Sequence, residues 1–276
     1  MPVLSAIFIH PIKSLEPVPV SAARILRSGA LEGDRAFAFV DAKGKFFNGK
    51  RTPLIHQIRS HYDPLSRVLK LGRAGRMRVR TFQIDDDRAA LDAWLSEFFN
   101  EPASFVHNGE VGFPDDLDCA GPTLISTPTL SEVASWFPPL AAQQLRARLR
   151  VNLEISAPVP FWEERLYTVK GATVRFELGD VTIEGNNPCQ RCAVPPRDPH
   201  SGEDYPRFAQ IFAQRRKATL PPWAEASRFN HYYRLSINTI IAPIEEGKML
   251  RVGDELRLVD TPAAKPAELA APALAQ

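Results

Sequence analysis

Through residue 82 the chain passes from one strand-like run to the next across short turns, and this rhythm restricts the fold more than any other feature of the sequence. Residues 3–9 read as a first strand. Pro11 fixes its own φ and biases His10 toward extended geometry, so residues 10–14 form a turn. Residues 18–26 are a second β-like run. Gly33-Asp34-Arg35 leads into the buried-strand pattern of 36–40, and Asp41-Ala42-Lys43-Gly44 is hairpin-turn chemistry ahead of 45–47. Runs at 56–63, 68–72 and 76–82 continue the pattern. Strands that follow strands in this way predict a mostly β, barrel-like α+β fold with a few helices, not a βαβ succession.

Helical spacing enters at residues 88–100, where Leu91, Trp94, Leu95, Phe98 and Phe99 recur after an acidic start at 85–87. A second helix is expected at 129–136, with Thr129 as N-cap and Glu132 at capping-box spacing. A third is expected at 141–148, ahead of a strand at 151–155. Strands at 173–176 and 181–184 lead to a cysteine loop. A short helix at 208–215, a strand at 235–241 and a turn-plus-strand at 247–258 complete the pattern. The composition shift places a strand-rich module at 1–108 and a second domain at 109–261. The Ala- and Pro-rich stretch 262–276 has too little bulky apolar surface to pack and is expected to be disordered.

Bulk composition excludes several classes. Hydrophobic residues make up 44% and charged residues 24%, enough for a packed core. A net charge of +2 with no long basic block gives no argument for nucleic acid. No apolar run approaches the ~20 residues of a membrane helix, and residues 1–10 lack the basic region and cleavage site of a secretory leader. Three cysteines do not make a disulfide framework. A reducing, cytoplasmic setting is therefore expected, where a close pair of thiols is more often metal-binding or catalytic than structural.

That pair is Cys189 and Cys192, in the run Gly185-Asn186-Asn187-Pro188-Cys189-Gln190-Arg191-Cys192. Pro195, Pro196 and Pro199 follow too closely for the helix that a thioredoxin-like site requires. A structural zinc site would need His200 or His231 to complete four ligands. A third possibility is one thiolate on a redox-active metal held chiefly by its own cofactor. If that cofactor is anionic, Lys13-Ser14, Arg35, Ser126-Thr127, Arg148, Arg150 and Asn152 are turn residues able to hold it. Individually each reads as a solvated polar group. Cys119 reads as a small core residue, and the aromatics Phe161, Trp162, Trp223, Phe229, Tyr232 and Tyr233 as packing residues.

Pro11-Ile12-Lys13-Ser14 and Gly33-Asp34-Arg35 resemble the start of the N-terminal β-barrel module that accompanies MOSC domains (molybdenum cofactor sulfurase C-terminal). Thr123-Leu124-Ile125-Ser126-Thr127, Arg150-Val151-Asn152, Pro188-Cys189-Gln190-Arg191-Cys192, Asp198-Pro199-His200-Ser201-Gly202 and Val252-Gly253-Asp254 then follow in the order of the MOSC domain itself. The resemblance implies a MOSC-type β-barrel fold and a molybdenum cofactor, a metal held by a pterin dithiolene. It maps Cys192 to the protein thiolate on the metal. Lys13, Ser14 and Arg35 map to cofactor contacts from the N-terminal module, and Ser126, Thr127, Thr129, Arg150 and Asn152 to contacts from the other side. Arg148 is added on charge and proximity alone.

The activity so implied is a molybdenum-dependent reduction of small N-hydroxylated compounds such as amidoximes, hydroxylamines or N-hydroxy bases, similar to that of the amidoxime-reducing component. Cys192 is the catalytic residue in this reading. No plant-type ferredoxin cysteine cluster is present, so a separate electron-donor protein is the expected partner. Asp198, His200 and water remain open as proton sources. Gln190, Asn186-Asn187 and a longer stretch at 157–179 depart from the commoner pattern and leave the substrate open. The alternatives are a cofactor-binding or sulfur-carrier module without turnover, and a structural protein that keeps the fold and no metal.

Overall fold

The structure, a computed structural model, describes residues 1–116 and 118–264. The described elements run β1 (Val3–Ile9), β2 (Val18–Val20), β3 (Ala22–Arg24), β4 (Phe37–Asp41), β5 (Ile58–Asp63), β6 (Val68–Arg73), β7 (Val79–Gln83), α1 (Arg88–Phe99), β8 (Ala103–His107), β9 (Leu124–Ser126), α2 (Thr127–Ser135), α3 (Ala142–Leu149), β10 (Leu153–Ser156), β11 (Ala172–Leu178), β12 (Val181–Gln190), α4 (Phe208–Ala218), β13 (Arg234–Ile240), β14 (Met249–Arg251) and β15 (Leu256–Ala264). The mostly β architecture expected from the sequence is what forms.

Eight strands make the main sheet in the order β15-β11-β12-β13-β9-β10-β1-β2. All neighbours are antiparallel except β9 and β10, which α2 and α3 connect as a parallel pair. The first twenty residues thus extend a sheet built otherwise from residues 124–264. The run expected as one strand at 18–26 serves two sheets, because the chain bends at Ser21: β2 pairs with β1 and β3 pairs with β14. Strand β15 continues through Pro262 to Ala264, opposite Val174 and Ala172, so the disorder expected from residue 262 does not hold for its first residues. The rest of that expectation lies outside the described residues.

In the N-terminal half, β4 pairs with β8 and β5-β6-β7 form a meander. Helix α1 closes this unit by burying Leu91, Leu95 and Phe99, one face at 3.6 periodicity, against Phe39, Phe47, Phe82 and Phe105. Burial of each such ring stabilises the fold by about 1.5–3 kcal/mol. Asn100 ends the helix in the left-handed conformation that suits a C-terminal cap. A third cluster, around Trp136, Phe137, Phe208 and Phe212, packs α2, α3 and α4 together. Beside it, fully buried Arg216 pairs with Glu164 and lies over the Phe161 and Phe229 rings at 4.3 and 5.1 Å.

Helix α2 starts before the expected Thr129. Ser126 is its N-cap, accepting from the Thr129 amide at 3.4 Å, and Pro128 occupies the first turn, where a missing N–H costs nothing.

Candidate functional site

Two turns of the N-terminal half build the first wall. The Lys13 amide donates to Phe37 O at 2.8 Å, the Phe37 amide to Pro11 O at 2.9 Å and the Arg35 amide to His10 O at 2.8 Å. This stitching holds Ser14 and Arg35 at φ of 73° and 50°, a region that costs a non-glycine residue and clusters at functional sites. Asp34 makes the arrangement rigid: Oδ1 accepts from the His10 amide at 2.7 Å and Oδ2 from the Arg35 guanidinium. Lys13 is buried, and its Nζ donates to Phe113 O at 2.8 Å and Asp115 Oδ1 at 2.6 Å. Burial draws the Lys13 ammonium below its ordinary range against the pull of Asp115. Asp115 loses solvation too, but Lys13 and Lys50 prevail and hold its carboxyl down to about 2.

The second wall comes from the end of α3. Arg150 follows the helix at φ 55° and donates through Nη1 to Leu15 O, tying the two walls together. Burial first, and then the adjacent Arg35, push Arg150 down to about 10. His10 lies close to both guanidiniums. Burial and the charges of Arg150 and Arg35 keep its imidazole well below the usual range, so it is neutral. Asn152 is buried and acts as a splice: Nδ2 donates to Phe8 O at 3.0 Å, while Oδ1 accepts from the Thr123 amide and hydroxyl at 3.3 Å. Arg148 spends its fork on the proline-rich loop, donating to Pro195 O at 3.1 Å, Pro196 O at 2.6 Å and Asp198 Oδ2 at 3.2 Å. Its observed work is to position that loop.

The third wall carries the thiols. Strand β12 runs as far as Gln190, so Cys189 stands on the strand end and not on the loop expected from its prolines. A register shift between Pro188 and Gln190 accommodates the proline, as bulges do. Arg191 lies between the cysteines. Its Nη1 is 3.3 Å from Cys189 Sγ, and its Nη2 donates to Leu149 O, at the end of α3, at 2.6 Å. The fourth side is the run 120–123. A Cβ on Gly121 would lie 2.5 Å from Thr239 O, so only glycine lets the chain pass this close to β13.

These walls enclose a cavity of about 700 Å³. Lys13, Ser14, Arg35, Arg148, Arg150, Asn152 and Cys192 all line it, although they come from four separate parts of the chain. All three cysteines line it, including Cys119, which is buried as expected. Nine Lys and Arg side chains face it together with three Asp. A chain of net charge +2 thus concentrates its positive charge in one place. Arg148, Arg150, Arg191 and Arg234 each bury a guanidinium nitrogen that has no hydrogen-bond partner among the described residues. Such nitrogens are costly unless an anion or water satisfies them.

Ser126, Thr127 and Thr129, expected as cofactor contacts, are not among the residues that line the cavity. Ser126 and Thr129 are fully buried, with their hydroxyls 2.8 Å apart. Thr129 Oγ1 reaches Glu163 Oε2 at 3.1 Å and accepts from the Phe161 amide, while Thr127 Oγ1 is within 3.5 Å of Ile155 O. These hydroxyls cap and anchor α2; the residues at the cavity are Ala120 to Thr123 instead. Lys50, Asp115, Lys170, Arg191, Arg228 and Arg234 line the cavity without having been singled out. Each is an ordinary charged residue in sequence, except Arg191, which its place between the cysteines could have marked. The aromatics 161, 162, 223, 229, 232 and 233 lie elsewhere. Among the described residues no three His, Cys, Asp or Glu side chains converge to hold a metal ion. No helix of the described residues is long and apolar enough to cross a membrane.

The model of the MOSC N-terminal beta barrel domain matches residues 1–102, and that of the MOSC domain matches residues 122–257. No curated protein matches the chain.

Proposed function

From these two matches the chain belongs to the MOSC domain family, and from that premise we propose that it binds a molybdenum cofactor and reduces small N-hydroxylated compounds. MOSC domains are associated with molybdenum cofactor sulfurase-like proteins. The observation that carries the proposal is the basic cavity with a thiol at its wall. An anionic group bearing a phosphate and a soft metal suits both. The absence of a multi-ligand protein site among the described residues suits a metal carried by its own organic ligand.

In this reading Lys13, Arg35 and Arg150, with the turn at Ser14, take the anionic end of the cofactor. Arg35 and Arg150 offer the forked geometry that suits phosphate, and Lys13 offers a point charge. Asp34 keeps Arg35 aimed at the cavity, and Asn152 holds the strand end and the 121–123 run in register behind it. Cys192 supplies a thiolate ligand, and Arg191 positions the turn between the cysteines. Arg148 keeps the proline-rich loop, and with it Cys192, at the wall. The bound cofactor supplies the two-electron, oxygen-accepting chemistry. The net reaction takes R–NH–OH, two electrons and two protons to R–NH₂ and water, with a separate protein as electron donor.

Protein made in a host that synthesises the cofactor is assayed for reduction of benzamidoxime with an artificial electron donor. The proposal expects benzamidine, formed in proportion to bound molybdenum. Bound molybdenum without turnover would indicate a carrier, and protein without molybdenum from such a host would sink the proposal.

A further inference from the structure

The cavity is lined by further charged groups besides those proposed to hold the cofactor. The three cavity carboxylates each have a partner: Asp34 pairs with Arg35, Asp115 pairs with Lys13 and Lys50, and Asp116 is 3.5 Å from the Asn238 amide. Arg228 and Arg234 have no cavity carboxylate. Arg228 Nη2 donates to Asn186 O at 3.1 Å. Arg234 donates to Pro188 O at 3.1 Å and Asn230 Oδ1 at 2.9 Å, all neutral acceptors, and its Nε is buried without a partner. Glu225, at the base of the loop that carries Arg228, acts on that residue alone. Both guanidiniums thus hold carbonyls of the same stretch of β12, two residues apart, and both line the cavity. Cys119 and Cys189 line the same cavity as the two arginines. Lys170 adds a further exposed cation to the same cavity.

Two half-buried guanidiniums held on one stretch of strand, with no carboxylate hydrogen-bonded to either among the described residues, repel each other, and an anion between them relieves that repulsion. We propose that Arg228 and Arg234 form a carboxylate-binding subsite, and that the substrate is a small N-hydroxylated compound carrying a carboxylate group. The inference rests on the reductase reading for the N-hydroxy group and on the arginine pair for the carboxylate. The arginines would take the carboxylate through charge-assisted, forked hydrogen bonds and so turn the N–O bond toward Cys192.

The test compares benzamidoxime with 4-carboxybenzamidoxime on the molybdenum-loaded protein and its Arg228→Gln and Arg234→Gln variants. The wild type is expected to favour the carboxylated compound in kcat/KM by on the order of 10-fold or more, the worth of a charged hydrogen-bond pair. In either variant the ratio should fall toward parity. Equal kcat/KM for the two compounds in the wild type overturns the proposal. So does loss of molybdenum from the variants, which would make the pair a cofactor anchor. If neither compound is turned over, calorimetric binding to the protein as purified decides. Tighter binding of the carboxylated compound, lost in Arg234→Gln, keeps the subsite and drops the reductase reading. Equal binding removes the subsite as well.

Discussion

His56, which packs behind Gly49 of the cavity lining, offers a quantitative test of the charges along that wall. It is buried in the short helical turn Pro53–Gln57, with Nε2 lacking a partner among the described residues. Burial first, then the charges of Arg197 and Arg150, lower its pKa to about 4. The unfolded chain titrates this imidazole near 6.5. Between those values the unfolded state holds a proton that the native state does not. The stability contributed by a neutral His56 is therefore complete above pH 6.5 and is lost as pH falls toward 4. A difference of about 2.5 pH units at 1.36 kcal/mol each amounts to about 3 kcal/mol. His56→Gln removes the titration and keeps a polar side chain of similar reach. Urea unfolding of both proteins from pH 7.5 down to pH 4 should give wild-type values that fall more steeply, by about 3 kcal/mol over the range. NMR titration of the imidazole should show a midpoint well below 6. Parallel stability curves, or a midpoint near 6.5, would refute the claim that the arginines and burial govern this wall.

Other outcomes follow from individual contacts. Gly121→Ala forces a methyl against the Thr239 carbonyl at 2.5 Å, where backbone cannot yield, and should lower stability by about 1–3 kcal/mol; an unchanged thermal melt would contradict the close approach. Arg216→Ala leaves Glu164 buried without its partner and should cost about 3–5 kcal/mol in urea unfolding, whereas Arg216→Met with Glu164→Leu should recover much of it; equal losses would argue against the ion pair. Thr129→Val strips Phe161 and Glu163 of a buried hydroxyl and should cost about 1–3 kcal/mol while molybdenum content stays at the wild-type level; lost metal would return Thr129 to the site.

The parts of the site that local chemistry dictates were readable from the chain. Pro11 and Gly33 mark the two turns, and Lys13, Ser14 and Arg35 follow from them. Arg150 and Asn152 stand at a helix-to-strand junction that periodicity locates. The hydroxyls of Ser126 and Thr129 lie away from the cavity, and sequence does not show this because a helix cap and an anion site share one signature, Ser or Thr at the start of a helix. Only burial tells them apart, and the Glu163 that satisfies Thr129 is distant in sequence. Pro128 in the first turn was the local sign that the helix began earlier. Cys189 was expected on a loop because prolines surround it, but a bulge lets Pro188 stay within β12. Arg228, Arg234, Lys50 and Asp115 carry no local signal. Their role depends on which charges the tertiary fold leaves paired and which it leaves bare.

The central claim is that one thiol, Cys192, ligates the metal of a cofactor held in the basic cavity. X-ray absorption at the molybdenum edge tests it most directly, on wild type, Cys192→Ser and Cys189→Ser made in a cofactor-competent host. The account predicts one fewer sulfur neighbour around molybdenum in Cys192→Ser and an unchanged count in Cys189→Ser. An unchanged sulfur count in Cys192→Ser, or the same loss in both variants, would contradict it.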